Sequence, residues 1–199
     1  MRALRYIAIG ASDSVGIGAS DPATKSWPAL LSARLPRGSS YLNLAVSGST
    51  VAQATREQLP RAAGVHAEVI TVWLAVNDLN AGLAPAGYRA QLARLLDGLR
   101  PNGARVFVGT VPDLTKVPAY ADLDAKLLSA LVNEYNEAIG AVVRESVERA
   151  VAVDLTSGSE VIVRESVVAP DGFHPNDRGY ELIAQRFIEV MRANGVPVS

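Results

Sequence analysis

The chain has 199 residues, a formal net charge of -1, 49% hydrophobic and 20% charged residues, which fits one globular domain with a sizeable core and argues against a disordered chain or a membrane protein. Its balanced charge, without any long run of one sign, lacks the cationic footprint that phosphate neutralisation demands, so no nucleic-acid partner is expected. The absence of cysteine removes disulfides, thiolate nucleophiles and cysteine-zinc sites together, and with only two histidines, His66 and His174, no metal centre is expected.

Arg2 and Arg5 flank an apolar stretch, Tyr6–Ile9, that Gly10 halts too early for a signal-peptide core; it reads as a buried first strand, and the chain is expected to be soluble and cytoplasmic. No stretch approaches the roughly 18 uninterrupted apolar residues of a membrane span, so no stable membrane insertion is expected. A loop of small and flexible residues, Gly10–Ser20, leads to a helix over Trp27–Leu35 with Ser26 as its cap and Pro28 in its first turn. Tyr41–Val46 reads as a second strand, and Val51–Ala63 as a helix that Pro60 should kink or split. The third strand is Val69–Val76, followed by a helix over Tyr88–Leu99 with Leu92, Leu95, Leu96 and Leu99 on one face. Strand four, Arg105–Val111, precedes a long helix over Leu123–Val147 whose apolar face is read from Leu127, Leu128, Leu131 and Tyr135. Ala150–Leu155 is the fifth strand, and Ser157–Gly172 fits neither period, so a long loop with a short element is expected there. The chain closes on a strong helix, capped by Asn176 or Asp177, with Tyr180, Ile183, Ala184, Phe187, Ile188 and Met191 on its apolar face and Gly195 and Pro197 as its stop.

Strand runs without polar alternation, separated by helices, describe a doubly wound α/β domain with a five-stranded parallel sheet covered on both faces, spanning residues 1–199 as one unit. In such sheets the site forms where loops leave the carboxyl ends of the strands. The loops Gly10–Ser20, Ser47–Thr50, Asn77–Gly82 and Pro112–Pro118 should therefore open on one edge.

His174 lies three residues after Asp171, just before the last helix. An aspartate so placed can accept the Nδ1 proton and leave Nε2 as a base; the competing reading is a solvated histidine on a turn-rich loop. His66 falls at the amino end of its strand, the wrong edge, and is read as structural. A base needs a nucleophile, and without cysteine serine is the natural choice. Ser12 stands at the end of strand one, followed by Gly16 and Gly18, whose flexibility would leave amides free toward an oxyanion. A phosphate-cradling loop is the alternative, but neither Gly-x-x-x-x-Gly-Lys nor Gly-x-Gly-x-x-Gly is present. The N–H groups of Ser12 and Gly48 and the side-chain amide of Asn77, each at the end of a different strand, would supply three donors around one oxygen.

With these residues in place the sequence resembles the SGNH hydrolases, the GDSL-type esterases and lipases, over essentially its full length. In "AIGASDSVGIG" Ser12 takes the place of the family's nucleophile, Gly48 that of the block II glycine, Asn77 that of the block III asparagine, and Asp171 with His174 that of the block V Asp-x-x-His. The resemblance implies a flavodoxin-like three-layer α/β/α fold, hydrolysis of a small ester through an acyl-serine and a Ser12–His174–Asp171 triad, and neither metal nor cofactor. Two positions depart from the pattern: Ala11 replaces the aspartate of Gly-Asp-Ser, and Ala75 the glycine of Gly-x-Asn-Asp. Ala11 leaves Ser14 as a second alignment of the nucleophile, with the wrong spacing to Gly16 and Gly18. Leu79, Leu83, Leu114, Val117 and Tyr120 are candidates for an apolar pocket wall, with Asp78, Asn80, Asp113 and Lys116 as polar candidates. Simple carboxylic esters, lysophospholipids, thioesters and acetylated sugars all occur as substrates in the family, and a non-catalytic flavodoxin-like binding module is the rival from another class.

Overall fold

A computed structural model describes residues 2–146, 150–157 and 167–199. Five strands, β1 (Arg5–Gly10), β2 (Ser40–Asn43), β3 (Val69–Trp73), β4 (Arg105–Gly109) and β5 (Ala150–Val153), form one sheet in the order β2-β1-β3-β4-β5. Every neighbouring pair is parallel, with Tyr6 beside Tyr41 on one side and Val69 on the other. This is the flavodoxin-like order, in which the winding reverses at β1 and the loops after β1 and β3 diverge to leave a crevice.

The sheet is covered on both faces, which explains the strand composition: β3 is buried along its whole length and β1 from Tyr6 onward, so no polar alternation is tolerated. The helices are α1 (Ser12–Val15), α2 (Pro22–Lys25), α3 (Trp27–Ser32), α4 (Val51–Glu57), α5 (Leu59–Ala63), α6 (Val76–Asn80), α7 (Pro85–Leu99), α8 (Ala125–Glu145) and α9 (Asp177–Ala193). One layer joins α3 to α9, where the Trp27 and Phe187 rings stack at 4.3 Å and Trp73 meets Trp27 edge-on at 6.0 Å. The other layer holds α4, α5, α7 and α8. Among the described residues no helix is long and apolar enough to cross a membrane.

Several boundaries differ from the expected ones for identifiable reasons. The predicted helix over 51–63 breaks at Gln58, between α4 and α5, because Pro60 has no N–H to continue the ladder. Strands β2 to β5 stop two or three residues short of expectation, since at the carboxyl edge the backbone leaves the ladder to build the loops. After β2 the Leu44 and Val46 N–H groups still donate to β1, at 2.8 and 3.2 Å, and the Asn43 side chain adds to them, donating from Nδ2 to the Ser14 carbonyl at 2.7 Å and accepting from the Ala45 N–H at 3.1 Å. In α8 the buried stripe runs through Leu128, Val132, Tyr135, Ile139 and Val142, while Leu127, expected on the apolar face, is 72% exposed. Most of the expected long loop, residues 158–166, lies outside the described residues.

Candidate active site

The loop after β1 is built around Ser12, which opens α1 and is 6% exposed at a cleft it shares with Asp13, Trp73, Asn77 and Phe173. Ser14 is sealed: its hydroxyl is fully buried without a partner, and a Cβ added to Gly10 would meet it at 2.1 Å. Gly16 does not offer a free amide, and Gly18 has a steric task of its own. Gly16, at φ +97°, closes α1 in the left-handed conformation and gives its N–H to the Ser12 carbonyl at 2.9 Å. Gly18 permits a close approach, since a Cβ there would stand 2.5 Å from the Pro175 carbonyl oxygen and 3.1 Å from the His174 Cβ. The rest of the loop is fastened to α9: the Tyr180 hydroxyl donates to the Ile17 carbonyl at 2.6 Å, and the Ser20 N–H and hydroxyl donate to the Asp177 carboxylate at 2.8 and 2.6 Å. Those Ser20 bonds hold the Asp177 carboxyl below its ordinary range.

His174 is 16% exposed, with Nδ1 2.7 Å from Asp171 Oδ2. Asp171 Oδ1 accepts from the N–H groups of Phe173 and His174, both at 2.9 Å. Partial burial works to raise the Asp171 pKa, but the His174 bond and the two amides outweigh it and leave the carboxyl lowered. The segment is anchored at both ends: Ala169 N–H donates to the His174 carbonyl at 2.7 Å, and the Asn176 side chain caps α9 by accepting from Arg178 and Gly179. Ser12 Oγ and His174 are not hydrogen-bonded to one another, a contact that in resting sites is often long and tightens with substrate. His66 sits at the opposite edge of the sheet, with Nε2 3.4 Å from Glu68 Oε1.

Gly48 is exposed in the turn after β2 at φ +80°. Among the described residues its N–H and that of Ser12 have no acceptor. Asn77, in the first turn of α6, donates one side-chain N–H to the Ser49 carbonyl at 3.0 Å and keeps a second. Next to it Asp78 is buried and accepts the Val51 N–H on both carboxylate oxygens, at 3.2 and 3.1 Å. Burial raises the Asp78 carboxyl to about 6 against the pull of that bond. Gln58 completes the frame: fully buried, it accepts the Gly10 N–H at 3.0 Å and donates to the Gly10 carbonyl at 2.9 Å and to Ser49 Oγ at 3.2 Å. Sequence reasoning missed Gln58, although a polar residue in register with Val51 and Ala54 on the buried face of a helix is a readable signal.

A second, mostly apolar pocket of about 470 Å³ including its mouth adjoins the cleft, lined among others by Asp13, Trp73, Leu114, Val117, Phe173 and Ile183. Of the expected wall, Leu114 and Val117 are here, whereas Leu79 and Tyr120 line a separate outer groove and Leu83 packs on the core. Asp78 and Asp113 are spent on local structure, the latter on the N–H and hydroxyl of Thr115. Among the described residues no group of three or more His, Cys, Asp or Glu side chains could hold a metal ion.

The fold agrees with that of known proteins. TesA superposes with a TM-score of 0.76 at 24% identity over 95% of this chain and 98% of its own. The psychrotrophic esterase EstA from Pseudoalteromonas sp., in a structure inhibited by monoethylphosphonate, gives 0.74 at 14% identity over 95% and 97%. An acetyl-xylooligosaccharide esterase from Geobacillus gives 0.73 at 16% over 96% and 94%. No curated protein sequence matches. Residues 8–182 match the model of the GDSL-like lipase/acylhydrolase family, and the chain therefore belongs to that family of ester-hydrolysing enzymes.

Proposed function

We propose that the protein is a serine esterase acting on small carboxylic esters through an acyl-serine. His174, oriented by Asp171, takes the proton from Ser12 Oγ as that oxygen attacks the ester carbonyl. The tetrahedral oxyanion is held by the Ser12 and Gly48 amides and the free N–H of Asn77, and collapse expels the alcohol with the proton from His174. Water, deprotonated by the same imidazole, then attacks the acyl-serine and releases the acid. One observation carries this reading: Ser12 opens onto the same cleft as Asn77 and Phe173, and the residue after Phe173 is a histidine whose Nδ1 is 2.7 Å from an aspartate. The confined, largely apolar space around it favours small acyl groups over bulky ones, and the acetyl-xylooligosaccharide esterase among the structural relatives points the same way.

The test is intact-protein mass after exposure to a fluorophosphonate, on wild type and Ser12→Ala, beside turnover of nitrophenyl esters of increasing chain length. One adduct mapping to Ser12, and a fall in kcat of about 10³ or more in Ser12→Ala and His174→Ala, is the expected result. An unreactive protein without turnover would favour a non-catalytic binding module, and an adduct on Ser14 would move the nucleophile.

A further inference from the structure

Hydrolysis as proposed leaves one charge at the cleft without a task. Asp13, next in the chain to Ser12, lines both the cleft at the nucleophile and the adjoining apolar pocket, among Trp73, Val76, Leu114 and Phe173. It is half-buried, and its carboxylate receives no hydrogen bond from another residue; its own backbone N–H is its only donor. Among the described residues no lysine or arginine pairs with it, and the charges acting on it are those of His174, whose Nδ1 is engaged by Asp171, and of Asp171 itself. Burial raises this carboxyl to about 6, so above neutral pH it stands ionised at the pocket wall. An ionised carboxylate only accepts. A substrate group held by it must therefore bring hydrogens or positive charge, and the rings of Trp73 and Phe173 in the same pocket favour a cation over a neutral donor. Ser12 and Asp13 line the same cleft, so a group held by Asp13 sits close to a carbonyl attacked by Ser12.

We propose that Asp13 is a specificity residue that binds an ammonium group carried by the ester substrate close to its scissile carbonyl. Anionic substituents at the same position are rejected by like charge. The proposal rests on the esterase reading and names its substrate class.

The experiment compares kcat/KM for two pairs of esters matched in shape, each normalised to its alkaline hydrolysis rate, at pH 7.5. Ethyl β-alaninate against ethyl butanoate places the charge on the acyl side; acetylcholine against 3,3-dimethylbutyl acetate places it on the alcohol side. Wild type should prefer the cationic member of at least one pair by roughly tenfold or more, as a hydrogen-bonded or desolvated charge pair allows. That preference should collapse toward unity in Asp13→Asn and recover in part in Asp13→Glu; the ratio cancels any loss common to both esters. A wild type that labels at Ser12 and turns over both pairs without cationic preference, or a preference that Asp13→Asn leaves intact, overturns the proposal and spares the esterase. If wild type neither labels nor turns over, the esterase reading falls, and titration with propylammonium decides the subsite alone. An Asp13 carboxyl whose NMR-detected pKa drops on saturation supports it, and one that stays put overturns it.

Discussion

Gln58 is the residue whose loss should register most clearly in both stability and turnover. Gln58→Leu keeps the side chain's approximate shape and deletes three hydrogen bonds. The consequences differ by partner. The Gly10 carbonyl keeps the Val46 N–H at 3.2 Å, and the Ser49 hydroxyl can rotate, but the Gly10 N–H loses its acceptor inside a fully buried site. One orphaned buried donor and one weakened pair amount to about 2–3 kcal/mol. At about 2–4 °C per kcal/mol for a domain of this length, the melting temperature should fall by about 5–10 °C. Urea unfolding followed by the fluorescence of the buried Trp27 and Trp73 would read it as a lower midpoint at an unchanged slope. Turnover should also fall, by about tenfold in kcat with KM less affected, because Gln58 ties the end of β1, two residues before Ser12, to Ser49, beside Gly48. A loss of stability below about 0.5 kcal/mol, with kcat unchanged, would refute the claim that this amide frames the site.

Three further outcomes follow from other positions. Gly18→Ala forces a side chain to within 2.5 Å of the Pro175 carbonyl at a left-handed φ, so it should cost about 2 kcal/mol or more and lower kcat through His174, as unfolding curves and steady-state kinetics would show. Ser14→Ala removes a buried hydroxyl that has no partner, and should leave stability equal or higher with fluorophosphonate labelling still complete at Ser12. Asp78 sets a pH dependence: its folded carboxyl, raised from 3.8 to about 6, holds its proton more tightly than the unfolded chain does. Its contribution is therefore full below about pH 4 and is lost as pH climbs through about 6, with a ceiling of about 3 kcal/mol. Asp78→Asn, which keeps an oxygen for the Val51 N–H, should flatten the decline in stability between pH 4 and 7; Glu68, held down to about 2 by Arg5, acts with the opposite sign and only below about pH 4.5.

The architecture was legible because its determinants are local. Apolar runs without alternation mark β1 and β3 as strands buried on both faces, and a proline marks the break before α5. The phase of α8 was misread at Leu127 because three leucines and a tyrosine fit two overlapping stripes, and only packing against α7 selects one. Positions of the candidate site residues were readable for a similar reason: in a parallel sheet the carboxyl end of each strand is fixed once the strand is fixed. The roles of Gly16 and Gly18 were not readable, because one glycine's task is set by a carbonyl within its own turn and the other's by a loop more than 150 residues away.

What the sequence conceals most is the frame behind the site. Beyond the strand ends the backbone bonds between the loops of Ser12, Gly48 and Asn77 thin to single contacts such as Val46 N–H to the Gly10 carbonyl, so their relative positions depend largely on side chains bridging the gaps. Gln58 joins the first loop to the second; Asn77 and Asp78 join the second to the third through Ser49 and Val51; Asp177 and Tyr180 join the first to the segment bearing His174. Each bridge puts polar atoms in or beside the core, where an unmade bond costs more than a made one returns. The arrangement tolerates little displacement as a result: if one bridge is lost, its partners must find water or move, and either outcome shifts a donor that the proposed oxyanion contact needs within about 3 Å. Asp13 differs from all of these in having no bridge to make. A carboxylate that lines the pocket without binding a neighbouring side chain contributes nothing to holding the frame together, which is why its partner is to be sought in the substrate.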